Sequence, residues 1–162
     1  MLTLTAGFLR RAQETVHRSI APVLQASVEK WLPTVTPGRY CHALVDPESL
    51  HVTVRDLDDR PRDAALLSRG TAEQVYLLLR AAMAQHLTRQ GEVCPLILDD
   101  VTVHCDAFRK PKVLAALHAL SQERQIILFT QEETVLTWAE VTLTLADRQD
   151  RIERLDTARV AA

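Results

Sequence analysis

The chain has 162 residues, of which 47% are apolar and 25% charged, with a formal net charge of -2. That is enough chain and enough apolar surface for one domain with its own core, and it argues against disorder. The near-neutral balance provides no overall positive field for nucleic acid, so any DNA contact must come from a local patch or from a part of the protein outside this chain. Three cysteines, Cys41, Cys94 and Cys105, form neither an even disulfide framework nor a metal-ligand spacing, which points to a reducing cytoplasm. The opening MLTLTAGFLRRAQETVHRS is no signal peptide, because its apolar stretch is short and broken by arginines. No run approaches the roughly 18 apolar residues that cross a bilayer.

The first element is a helix over residues 9–31. Leu9, Ala12, Val16, Ile20, Val23, Leu24, Val28 and Trp31 recur at spacings of three and four. Pro22 falls inside that pattern and is expected to kink or divide it. The segment LPTVTPGRY, with two prolines and a glycine, reads as a breaker. Residues 39–45 and 50–55 then form two short runs separated by Asp-Pro-Glu-Ser. Leu50, Val52 and Val54 alternate with His51, Thr53 and Arg55, the pattern of a β-hairpin. Residues 56–63 read as a polar loop.

A strong helix follows over residues 71–88, with Val75, Leu78, Leu79, Ala82 and Met83 on one face. Residues 94–98 are a continuous apolar run ending in Asp99-Asp100, the pattern of a buried parallel strand that stops at a site. Residues 112–122 form a helix, 125–129 a second buried strand and 133–140 a helix. Residues 141–145 alternate weakly, and residues 151–155 read as a last strand or helix. The strand–helix–strand–helix order of this half predicts an α/β fold with a parallel sheet.

Two places carry chemistry. Ser68 and Gly70 precede a long helix, where exposed N–H groups and a hydroxyl suit an anion such as a phosphate, and a glycine permits close approach to the backbone. The plainer reading of Ser68 is a helix N-cap, and these residues alone leave the two equal. Asp99 and Asp100 end a strand at the edge where ligands of open α/β sheets gather. Two carboxylates there suit Mg²⁺ and a group that orients water, or simply a solvated turn.

The order and spacing of LSRGTAEQ, PLILDD and VHCD, with Asp106 closing the last, resemble the C-terminal lobe of the ABC ATPase heads of the SMC, RecF and RecN group and of the double-strand-break-repair ATPases, above all a bacterial SMC-like group. The resemblance covers residues 19–138. It implies a P-loop NTPase lobe of parallel strands and packed helices (residues 37–162), preceded by a coiled-coil-end helix and linker (residues 1–36). It also implies that Ser68, Arg69, Gly70 and Gln74 belong to a signature motif contacting ATP held by the opposite head of a dimer. Asp99 would hold Mg²⁺ through water, Asp100 would occupy the catalytic-base position, and Asp106 would act in the D-loop. The switch position falls at Gln131 or Glu132, where the family usually has histidine, and the base position, usually glutamate, is the shorter Asp100.

No G-x-x-x-x-G-K-[ST] occurs, and none of Gly7, Gly38, Gly70 and Gly91 starts such a loop. The amides and lysine that hold most of a triphosphate are therefore missing. The expectation is a fragment of a longer protein or one half of a split head. Its partners would be an N-terminal P-loop lobe, a second head and, through the assembly, DNA for repair or chromosome maintenance. Alone it would have no ATPase activity. Two other readings stand beside this one: a non-catalytic regulatory or dimerisation module, and a metal-dependent hydrolase using Asp99, Asp100 and Asp106. Most of the six histidines, Trp31, Trp138 and the cluster Arg109, Lys110 and Lys112 read as packing or solvated residues, while His104, next to the D-loop, has a place near the dimer interface as its alternative.

Overall fold

A computed structural model describes residues 2–87, 94–144 and 150–155. The chain forms two compact units, residues 1–129 and 130–162.

The first unit begins with helix α1, Leu2–Val35, longer at both ends than its periodicity indicates. Only its second half enters the core. Ala21, Leu24, Val28, Leu32 and Val35 recur every three or four residues and are almost fully buried, while Phe8, Leu9 and Val16 lie exposed. Among the described residues, the apolar side chains of Phe8, Leu9 and Val16 are therefore left uncovered. Pro22 and Pro33 lie inside the continuous helix, so neither divides it. Pro22 removes one N–H, but it sits on the exposed side next to the buried row, where water can hydrate the carbonyl left unpaired. The break comes later, at Gly38, whose φ of 73° suits glycine.

Strands β1 (Tyr40–Val45) and β2 (Val52–Asp56) pair antiparallel, as the alternation requires. A register shift between Tyr40 and His42 marks a bulge at Cys41. The extra residue turns both Tyr40 and Ala43 toward the core, which simple alternation would not do. Glu29 of α1 accepts the Ala43 N–H at 2.9 Å, so the helix covers the edge of β1. Residues 56–63 are not all loop. Pro61–Asp63 form strand β3, paired with β2, and Pro61 opens this edge strand, where its missing N–H costs little. Asp63 then caps a 3₁₀ turn, Ala64–Leu66, by accepting the Ala65 N–H at 2.8 Å.

Helix α2, Arg69–Leu87, packs on α1, and its Val75, Leu78 and Ala82 belong to the same buried cluster as Leu24, Val28 and Leu32 of α1. The predicted end at Thr88 lies outside the described residues. Strands β4 (Leu96–Asp99) and β5 (Ile126–Phe129) pair in parallel with Leu96 opposite Ile126 and Asp99 opposite Phe129, joined through helix α3 (Lys110–Leu120). The expectation of buried strands fails in one respect. Leu98 is buried, but Ile97 is 62% and Phe129 45% exposed. Successive side chains alternate faces, and only the Leu96–Leu98 face meets the core of this unit.

The second unit holds helix α4, Glu133–Thr144. It absorbs residues 141–144, whose weak alternation is part of the helix and not a strand, while Leu145 lies outside the described residues. Residues 151–155 form neither strand nor helix, and Arg154 pairs with Glu140 at 3.3 Å. Among the described residues the architecture is thus mixed α/β, with one parallel strand pair preceded in sequence by a long helix and a small antiparallel sheet.

Candidate functional site

The start of α2 and the turn after β4 form one structure. Ser68 stands just before α2, and its carbonyl accepts the Ala72 N–H at 2.9 Å, closing the first helical turn. Its hydroxyl pairs with Thr71 Oγ1 at 2.8 Å, so it is engaged with a side chain of the first turn. Arg69 reaches along the helix to Glu73 at 3.0 Å and is largely exposed.

Gly70 is buried for a reason the sequence does not reveal. A Cβ added there would lie 2.2 Å from the His104 carbonyl oxygen. The glycine lets the helix touch the backbone of the 103–106 segment. Gln74, 1% exposed, donates from Nε2 to Cys105 Sγ at 3.1 Å. The side chain is thus turned into the protein and holds the same segment. His104 Nδ1 meets Glu73 Oε2 at 2.8 Å. Burial pushes the Glu73 carboxyl up, but the hydrogen bonds and charges of Arg69 and His104 outweigh it and hold the group below its ordinary value. Burial likewise pushes the Cys105 thiol up, against the hydrogen bond from Gln74.

Asp106 ends this segment. Its Oδ1 accepts the N–H groups of Phe108 at 3.0 Å and Arg109 at 2.8 Å, and its backbone carbonyl accepts from Lys110 at 3.0 Å. It therefore organises the entry into α3, where Pro111 lies at a position that needs no N–H. Arg109 donates from Nε to Asp106 Oδ2 at 2.5 Å and from Nη1 to Thr71 Oγ1 at 3.0 Å. The hydrogen bonds of Arg109, first among several causes, hold the Asp106 carboxyl below its usual range. Ser68 and Asp106 are thereby linked through Thr71 and Arg109.

Asp99 and Asp100 lie at the other end of the same turn, at the C-terminal end of β4. Asp100 donates its N–H to the Phe129 carbonyl at 2.9 Å, extending the parallel pairing by one residue, and its carbonyl accepts from Val103 at 3.2 Å. Its φ is 47°, a left-handed conformation that aspartate tolerates better than most residues and that tends to occur where function constrains the backbone. Both carboxylates are hard oxygen donors of the kind Mg²⁺ takes. No group of three or more ligating side chains occurs among the described residues. Two carboxylates fit an ion that keeps several waters and binds phosphate oxygens, and do not form an all-protein cage. Gln131 and Glu132 belong to the second unit, where the Glu132 N–H is accepted by Thr130 Oγ1 at 3.1 Å and the Glu132 carbonyl accepts from Val135 and Leu136 at the start of α4.

Sequence reasoning missed Thr71, Glu73, His104, Cys105 and Arg109. The four-residue spacing of Arg69 and Glu73 was a legible helix pair. The three-residue spacing of Asp106 and Arg109 ahead of a Pro-started helix was the available sign that Arg109 is more than a solvated cation.

No protein-family model matches the chain. It is 37% identical over 122 residues to an uncharacterised protein of Bacillus subtilis, YhaN, and spans 12% of that relative's length. Among solved structures it is similar to an Smc head domain with an extended coiled coil from Pyrococcus furiosus, bound there to the C-terminal domain of ScpA. That likeness has a TM-score of 0.56, 14% identity, and coverage of 72% of this chain and 30% of the other. It is similar to the SMC head domain of Thermotoga maritima at a TM-score of 0.55, 20% identity, and coverage of 78% and 44%. A structure described for ATP-driven dimerisation and DNA-stimulated activation of SMC ATPases matches at a TM-score of 0.61 and 15% identity, covering 88% of this chain and 84% of that one. The chain shares its fold with part of these SMC head domains. No helix among the described residues is long and apolar enough to cross a membrane.

Proposed function

We propose that this chain is the C-terminal half of an SMC-like ABC ATPase head, of the bacterial group allied to the RecF, RecN and break-repair ATPases. The observation that carries the reading is the seating of the LSRGTAEQ helix start on the VHCD turn that directly follows the PLILDD strand, through Gly70 against His104 and through the Ser68–Thr71–Arg109–Asp106 hydrogen bonds. In this reading Ser68, with Arg69 and the first-turn amides of α2, contacts the γ-phosphate of ATP held by a second head. Gly70 belongs to the same phosphate-facing helix start and Gln74 to the same signature, and both also hold the D-loop segment. Asp99 takes a Mg²⁺ ion through water, and Asp100 orients the attacking water. When bound, the metal would supply charge neutralisation on the phosphates.

The exposed Ile97 and Phe129 and the two-stranded parallel sheet fit a body completed by further strands. A P-loop lobe is the partner this reading requires, since the chain lacks one. The exposed Phe8, Leu9 and Val16 of α1 suit the end of a coiled-coil arm, through which the cycle would act on DNA in the cytoplasm. A second reading, a non-catalytic dimerisation or regulatory module, draws on the shorter carboxylate at Asp100 and on Gln131 and Glu132 where the family has histidine.

Assembly of the chain with a P-loop lobe discriminates the two. In the catalytic reading the assembled head hydrolyses ATP and Asp100→Asn abolishes turnover, while the chain alone is inactive. Absence of turnover in the assembly, with Asp100→Asn changing neither nucleotide binding nor dimerisation, leaves only the module.

A further inference from the structure

Arg109 stands outside the residues that the signature, the acidic pair or the D-loop aspartate would supply, yet it joins two of them. Its guanidinium is mostly covered, with 22% of the side chain exposed. One edge is fixed on Asp106 through Nε, and Nη1 is aimed at the hydroxyl of Thr71, which is 4% exposed. A guanidinium only donates, so Thr71 Oγ1 must accept from it. Donation from a cation polarises that hydroxyl and makes it a better donor in turn. Its partner at 2.8 Å is Ser68 Oγ. A Ser68 oxygen that accepts from Thr71 keeps its own proton for an acceptor outside the chain.

We propose that Arg109 and Thr71 are positioning residues that orient the Ser68 hydroxyl as a hydrogen-bond donor toward a phosphate oxygen of the nucleoside triphosphate bound by the opposite head, and that Asp106 sets this orientation by anchoring Arg109. The inference rests on the reading of Ser68 given above. It adds that the D-loop aspartate and the signature serine of one head act as a unit. Displacement of Asp106 at the head–head interface withdraws Arg109 from Thr71 and releases the serine. Lysine cannot replace arginine here, because a single ammonium lacks the rigid fork that reaches both partners.

The test uses the head assembled with its P-loop lobe. Thr71→Val, which keeps the shape and removes the hydroxyl, and Arg109→Leu are expected to lower kcat roughly ten- to a hundredfold, the effect of losing one charge-assisted hydrogen bond. KM for ATP, set mainly by the P-loop lobe, should stay within about threefold. Thr71→Ser should restore turnover, and Arg109→Lys should not. Combined with Ser68→Ala, each variant should add almost nothing, because all three break one relay. If Ser68→Ala lowers kcat while Thr71→Val and Arg109→Leu leave it unchanged, or multiply fully with Ser68→Ala, this proposal is overturned and the reading of Ser68 stands. If Ser68→Ala has no effect, or the assembled wild type never turns over, both fall together. Independently of turnover, the Arg109 Nε–H resonance of the chain should exchange slowly with water and lose that protection in Asp106→Asn. Fast exchange in the wild type overturns the relay on its own.

Discussion

Replacing Gly70 by alanine sets two physical effects against each other. In a helix, glycine is less favourable than alanine by up to about 1 kcal/mol, so propensity alone predicts a gain in stability. Gly70 lies in the first turn, where that gain is smaller. Against it stands the neighbour: the new methyl would lie 2.2 Å from the His104 carbonyl oxygen, 3.2 Å from its carbonyl carbon and 3.6 Å from its Cβ. The obstacle is backbone, so it cannot rotate away as a side-chain tip would. Relief requires the 103–106 segment to move off α2, which strains the Gln74–Cys105 and Glu73–His104 contacts. Overpacking of this kind costs about 1–3 kcal/mol. The balance is a net loss of about 1–2 kcal/mol. At 162 residues that corresponds to a fall in Tm of roughly 2–8 °C. Urea denaturation of Gly70→Ala, with the amide resonances of residues 103–106 as local reporters, measures both parts. A variant as stable as the wild type or more so, with those resonances unmoved, refutes the close seating of α2 on this turn.

Other outcomes follow from the same structure. Leu24→Ala empties a fully buried position of α1 and should cost about 2–5 kcal/mol by urea denaturation, whereas Leu9→Ala on the exposed half of the helix should stay within about 0.5 kcal/mol. Under limited alkylation at mildly alkaline pH, Cys41 and Cys94 should react before Cys105, whose thiol is raised by burial and partly covered; mass spectrometry of the first adducts reads the order. The Asp106 carboxyl should titrate below its ordinary value, followed by its side-chain carbon resonance, and move up in Arg109→Leu. Because its folded value is depressed, the stabilisation it contributes is complete above the ordinary aspartate value. It is lost only as pH falls through the lower folded value, so a loss of the Asp106–Arg109 contact already near neutrality would contradict the assignment.

Much of this protein follows from local pattern. The three- and four-residue rows of Leu24, Val28 and Leu32 and of Val75, Leu78 and Ala82 define α1 and α2, and the alternation of Val52 and Val54 defines the hairpin, because burying one face is the same requirement in any context. The apolar runs before Asp99 and Phe129 mark a parallel pair in the same way. The acidic strand end and the serine–glycine helix start are legible as candidates for chemistry because each is a short local pattern. Pro22 does not divide α1, since whether a helix survives a missing hydrogen bond depends on what covers its other side, and Leu24 and Val28 are buried on that side. Residues 141–144 extend α4 past the predicted end at Glu140, four weakly alternating residues being too few to outvote the helix they continue. β3 is not legible in the sequence because its three residues, a proline and two charged side chains, carry no apolar period and become a strand only by pairing with β2.

What only the tertiary structure decided is how distant segments share one site. Gly70 and His104 are 34 positions apart, and Thr71 and Arg109 are 38 positions apart. Nothing local to either partner says that they meet, because the contact is created by α2 and the β4–α3 turn converging after each has folded on the core. Composition and periodicity can set which residues are buried and which elements form. The use of a glycine as clearance for a carbonyl, and of an arginine as the link between two loops, depends on a three-dimensional approach that is fixed only when the elements pack.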